Sequence, residues 1–87
     1  MNSAKSRVDE MLNDLKQERD ELRLKIKLAK MEANEEWAKL EAKLARLETK
    51  ARELKSATED SSKEIGAAAK LLGEEIRDGF KNIARHL

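Results

Sequence analysis

Apolar side chains recur in steps of three and four residues along the first 54 positions, and this pattern constrains the fold more than any other feature. Such steps form the heptad repeat of a coiled coil, in which one stripe of a helix faces a partner. This stripe, the seam, consists of Val8, Leu12, Leu15, Leu22, Ile26, Ala29, Ala33, Trp37, Leu40, Leu44, Leu47, Ala51 and Leu54. It predicts one long helix over about residues 5–56, begun by a capping box from Ser6 to Asp9.

The charges beside the seam change sign halfway along it. Between Ile26 and Trp37 the seam makes an 11-residue step, which locally unwinds a left-handed supercoil. The flanking positions are basic before this step and acidic after it, at Lys16, Arg23, Lys30, Glu41 and Glu48. This change predicts antiparallel pairing with a second copy that crosses near residues 34–37, with Lys30 opposite Glu41 and Arg23 opposite Glu48.

The composition argues against a self-sufficient core. Charged residues make up 43% of the 87 residues, and the only aromatic residues are one Trp and one Phe. Helices are stabilised mainly by packing of their apolar face, so a long polar helix needs a partner. The predicted fold class is therefore all-α and oligomeric, with a long coiled-coil helix plus a shorter C-terminal amphipathic helix.

The C-terminal third differs from the rest. Residues 55–64 contain four Ser or Thr residues, which compete for backbone hydrogen bonds, and Ser61 to Glu64 matches a second capping box. We expect a break at about 57–61 and a second helix over about 62–86 that folds back on the first; one unbroken helix is the alternative. The second-helix face consists of Ile65, Ala69, Leu72, Ile76, Phe80 and Ile83. The whole chain, 1–87, is then a single helical coiled-coil domain.

Two features of the first helix admit a second interpretation. Residues 22–28 alternate between apolar and basic side chains as a strand would, but the helical flanks favour a helix. A basic stripe falls within about 80° of the helix circumference and consists of Lys16, Arg19, Arg23, Lys27 and Lys30. We expect the stripe to pair with acids on a partner helix; contact with anionic lipid or phosphate is the alternative.

The candidate chemical groups do not form a known catalytic or metal-binding motif. His86 is the single histidine, and the carboxylates of Glu32, Glu35 and Glu36 lack the histidine that a di-metal helix site requires. Trp37 is expected to be a packing anchor rather than a ligand-stacking residue. We predict no enzyme activity, no catalytic residue, no metal and no cofactor.

Charge and hydropathy also restrict the partners. The net charge of +1 disfavours nucleic acid, which requires an excess of clustered cations. The sequence shows no secretory signal and no apolar run that could span a bilayer, so we expect a cytoplasmic protein. The expected function is structural or protein-interacting through self-association into a homo-oligomer, a dimer or tetramer, with another protein as a further partner. The alternative is a membrane-peripheral protein that binds a lipid surface through the amphipathic 65–87 helix.

Two segments carry a resemblance to known proteins. The first is Leu28-Ala29-Lys30-Met31-Glu32-Ala33-Asn34-Glu35-Glu36-Trp37-Ala38-Lys39-Leu40-Glu41, and the second is Gly66-Ala67-Ala68-Ala69-Lys70-Leu71-Leu72-Gly73-Glu74-Glu75-Ile76. Over about residues 20–80 the chain resembles small, uncharacterised bacterial all-helical coiled-coil proteins. The resemblance implies a bacterial helical protein and carries over no catalytic residue.

Overall fold

The described part of the chain folds into three helices that form a bundle. The computed structural model describes the backbone of residues 3–87 and the side chains from Ser6 onward. The helices are α1 (Ser3–Ala29), α2 (Asn34–Ser56) and α3 (Glu59–Arg85). Each helix contacts the other two, and the molecule measures 46 × 19 × 17 Å. The all-α prediction is confirmed for these residues, which contain no strand.

The single helix predicted over residues 5–56 is wrong, because a tight turn at residues 30–33 divides it. Lys30 adopts a left-handed conformation with a φ of 54°. The Met31 N–H donates to the Ile26 carbonyl at 3.1 Å, and the Lys30 N–H donates to the Lys27 carbonyl at 3.3 Å. These two bonds define a Schellman motif. Met31 and Ile26 both pack against the core and line the cleft beside the turn.

The sequence does not indicate this turn, because the residue in the left-handed conformation is a lysine. Glycine is the usual residue at this position, since a side chain there costs about 1–2 kcal/mol. The turn falls within the 11-residue step of the seam. In a continuous helix this step would only unwind the supercoil locally, so the spacing alone does not indicate a turn.

Both predicted capping boxes are also wrong. Ser6 lies inside α1, which already includes Ser3, so it does not begin that helix. At α3 the N-cap is Thr58, whose Oγ1 accepts a hydrogen bond from the Ser61 N–H at 3.2 Å. The break therefore lies at residues 57–58, and Ser61 belongs to the first turn of the helix. Ser62 is buried and donates from Oγ to the Glu59 carbonyl at 2.8 Å.

One apolar core runs along the axis of the bundle. Its largest fully buried side chains come from all three helices and are Leu15, Leu44, Leu47, Ile76 and Ile83. Of the two aromatic residues, Phe80 is buried and Trp37 is half-buried, with their ring centroids 5.8 Å apart across α2 and α3. The core that the composition argued against is thus assembled within one chain, mostly from leucine, isoleucine and alanine with one buried aromatic residue.

Two glycines let α3 approach its neighbours closely. A Cβ at Gly79 would overlap the Leu40 side chain of α2, and a Cβ at Gly73 would overlap the Met11 side chain of α1. Because glycine has no side chain, α3 can pack closer to α1 at Gly73 and closer to α2 at Gly79 than any other residue would allow.

Candidate interaction surfaces

The basic residues that flank the seam in α1 and the acidic residues that flank it in α2 lie opposite each other within one chain. Because α1 and α2 are joined by a tight turn, they run antiparallel, and Lys16 Nζ lies 3.1 Å from Glu48 Oε1. Arg23 and Glu41 line the same cleft one step closer to the turn. The basic flank of α1 thus faces the acidic flank of α2, in a different register from the Arg23–Glu48 and Lys30–Glu41 pairs predicted between two copies.

Most of the predicted seam lies in the core of the single chain. Val8, Leu12, Leu15, Leu22, Leu40, Leu44, Leu47, Ala51 and Leu54 are buried, and Ile26 and Trp37 pack against them. Ala29 is exposed and Ala33 is half-buried, because both lie at the turn. The seam residues are thus covered by the chain's own helices, so a second copy is not required to bury them.

The second-helix face is packed in the same core. Ala69, Ile76, Phe80 and Ile83 are buried, and Ile65 and Leu72 are partly buried against them. An apolar face that is covered in this way is not available to a lipid surface while α3 remains in the bundle. The lipid-binding role predicted for this face therefore has no free surface in the folded chain.

A cleft with a basic rim opens beside the turn between α1 and α2. It has a volume of about 500 Å³, and its apolar lining includes Ile26, Met31 and Trp37. Arg23, Lys27 and Lys30 stand on the rim, together with the single carboxylate of Glu41. The structure thus brings three members of the predicted basic stripe beside Trp37; of the others, Lys16 pairs with Glu48 and Arg19 pairs with Asp20.

Two leucines lie on the outer face of α1, away from the core. Leu24 is 59% exposed and Leu28 is 76% exposed, one helical turn apart. This surface was not predicted from the seam, although the alternation of apolar and basic residues at 22–28 indicates it. On a helix this alternation places Leu22 and Ile26 toward the core and Leu24 and Leu28 on the opposite side.

The candidate chemical groups meet at the same end of the bundle. Glu32, Glu35, Glu36 and His86 line one cleft, and His86 Nδ1 lies 2.8 Å from the Asn82 carbonyl oxygen. Among residues 3–87, no three acidic or histidine side chains are arranged to hold a metal ion. No helix described is long and apolar enough to cross a membrane.

Comparison with protein-family models, with curated proteins and with solved structures found no match to this chain.

Proposed function

We propose that this chain is a non-enzymatic protein-interaction module that self-associates by exchanging helices between two copies. The observation that carries the proposal is the turn at residues 30–33. Its four residues, Lys30, Met31, Glu32 and Ala33, favour a helix or tolerate one, yet they form a turn with a lysine in the left-handed region.

A helical conformation of the turn would relieve this strain. The steps between Ile26, Ala29, Ala33 and Trp37 keep the apolar stripe on one side through residues 30–33. If these residues become helical, α1 and α2 form one long helix, and α1 must then find its α2 partner in a second copy. Exchange of identical elements through a hinge is a low-cost route to a dimer.

The contacts within the chain support an exchange of this kind. Lys16 and Glu48 pair across α1 and α2, so two opened chains would cross near residue 32, midway between these positions. The exposed Ala29 and half-buried Ala33 then lie at the crossing, where small side chains allow two helices to approach. Meanwhile α3 stays on the α2 of its own chain, where Lys43 pairs with Glu75 at 3.4 Å.

Cross-linking tests the proposal in a chain that has no cysteine. In the Lys16→Cys/Glu48→Cys variant, a short bis-maleimide should link two chains at high protein concentration and one chain on dilution. The matched control is Lys43→Cys/Glu75→Cys, which should cross-link within one chain at every concentration. Both variants are resolved on denaturing gels beside sedimentation of the uncross-linked chain.

Each outcome is decisive. Intrachain links in both variants of a chain that sediments as a dimer would show that copies dock without exchange. Intrachain links in a chain that stays monomeric at high micromolar concentration would overturn self-association altogether.

A further inference from the structure

The end of α1 carries an unusual concentration of positive charge. Residues 22–31 contain four cations, Arg23, Lys25, Lys27 and Lys30, and no acid. The whole chain carries a net charge of only +1, so the remaining residues are net acidic. Among the side chains described, none of these four cations is within ion-pair distance of a carboxylate.

The same segment presents the two leucines on the outer face of α1. On a helical wheel Lys25 and Lys27 lie about 80° to either side of the Leu24–Leu28 stripe. The acids of the preceding turn, Asp20 and Glu21, bound this surface on the N-terminal side. Exposed leucines with a cation on each side form an amphipathic surface suited to a membrane interface.

We propose that this surface, formed by Leu24 and Leu28 with Lys25 and Lys27, docks on an anionic lipid bilayer. The leucines enter the headgroup and upper acyl region, and the cations contact lipid phosphates and carboxylates. Stable attachment requires both an apolar and an electrostatic contribution, and this segment supplies both. The inference is independent of helix exchange, because the outer face of α1 is exposed without it.

Lipid fits this surface better than a second copy or a nucleic acid does. Two leucines offer much less area than the roughly 800 Å² that each partner contributes to a stable protein interface. A second copy docked through this face would also bring its own Lys25 and Lys27 opposite the same two lysines. Duplex nucleic acid would satisfy the charges but would leave both leucines without an apolar environment.

The acidic side of the same end restricts the orientation. Glu32, Glu35 and Glu36 line a cleft with His86 that adjoins the basic cleft, since Met31, Ala33 and Asn34 line both. The bound chain therefore rests on the outer face of α1 rather than on this end of the bundle, where acidic and basic side chains meet.

The test is co-sedimentation of the full chain with vesicles of phosphatidylcholine alone and with about one third phosphatidylserine. We expect binding only to the anionic vesicles, with loss of binding at high salt because the attraction is screened. The Leu24→Gln/Leu28→Gln variant should bind more than about tenfold more weakly. Its control, Leu71→Gln, changes a leucine that is 61% exposed on α3 and should bind like the unmodified chain.

A second pair of variants separates local charge from net charge. Lys25→Gln/Lys27→Gln should weaken binding by about 25-fold, since each cation near an anionic surface contributes about fivefold. Lys39→Gln/Lys81→Gln removes two exposed lysines elsewhere and should have a much smaller effect. Circular dichroism verifies that each variant folds.

Three results would overturn the inference. The first is no binding to anionic vesicles by the unmodified chain. The second is equal loss in the matched charge variants, which would indicate attraction by net charge alone. The third is binding to a DNA duplex that survives Leu24→Gln/Leu28→Gln and exceeds binding to vesicles, which would assign the cations to nucleic acid.

Discussion

At the scale of single residues, Lys30 has the largest effect on the fold. It separates α1 from α2 by adopting a backbone conformation that other residues than glycine rarely adopt. The Schellman hydrogen bonds and the packing of Met31 and Ile26 against the core hold the lysine there. Neither the composition nor the periodicity of the sequence reveals this, because lysine is a good helix former and the seam continues on both sides of it.

Lys30→Gly should therefore stabilise the chain. Glycine adopts the left-handed conformation without a steric penalty, so the free energy of unfolding should rise by about 1 kcal/mol. Urea denaturation measured at low protein concentration reports this change. The control Lys25→Gly lies inside α1 and should lower stability by about 1 kcal/mol; a loss in both variants would contradict the role of Lys30.

The two close glycines should respond differently to alanine. In Gly79→Ala the new Cβ meets the buried Leu40, and the cost of overpacking, about 1–3 kcal/mol, exceeds the gain in helix propensity of about 1 kcal/mol. In Gly73→Ala it meets the flexible end of Met11, which can move, so stability should change by less than about 1 kcal/mol. Thermal denaturation distinguishes them, and equal losses would count against this packing.

At the scale of the helices, the boundaries depend on which side chain supplies each cap. The sequence has four hydroxyl residues near the second break, and a capping box is a local pattern that cannot choose among them. The structure uses Thr58, so α3 begins at Glu59 and places two acids, Glu59 and Asp60, in its first turn. Negative charge at this end of a helix is favourable because of the helix dipole.

Thr58→Ala should consequently lower stability by about 1 kcal/mol, because a free N–H is left at the start of α3. Ser61→Ala should change it by less than about 0.5 kcal/mol, since it retains the backbone N–H that bonds to Thr58 and removes only an exposed bond between the two hydroxyls. Guanidinium denaturation of the two variants compares the caps. A larger loss of stability in Ser61→Ala than in Thr58→Ala would indicate that Ser61 is the N-cap, as the capping box from Ser61 to Glu64 predicts.

At the scale of the whole molecule, the heptad pattern identified the right apolar stripes, and in the folded chain the stripes of α1, α2 and α3 cover one another. Leu15, Leu44 and Ile76 were all predicted to face another helix, and they do so within one chain. Heptad spacing shows which face of a helix is buried but not which chain covers it. The distinction depends on four residues at the turn, whose conformation is decided by tertiary packing rather than by propensity.

Because the core forms within one chain, dilution should not lower the helicity of the protein. A chain that depends on an oligomer for its core loses helicity when diluted, whereas this bundle should keep it. For Lys30→Gly, which favours the closed turn, the circular dichroism signal per residue should be the same at low and high micromolar concentrations. A decrease on dilution would mean that the core forms between copies.

The close approach of α3 to α2 also has a consequence for how this sequence can vary. Because the Leu40 side chain occupies the space that a Cβ at position 79 would need, a larger residue at position 79 requires a smaller one at position 40. Natural variants of the chain should therefore change these two positions together, with alanine at 79 accompanied by valine or alanine at 40. Positions 73 and 11 should be less strictly linked, since the Met11 side chain can move aside. The pairs of positions that change together would therefore show where the helices approach most closely.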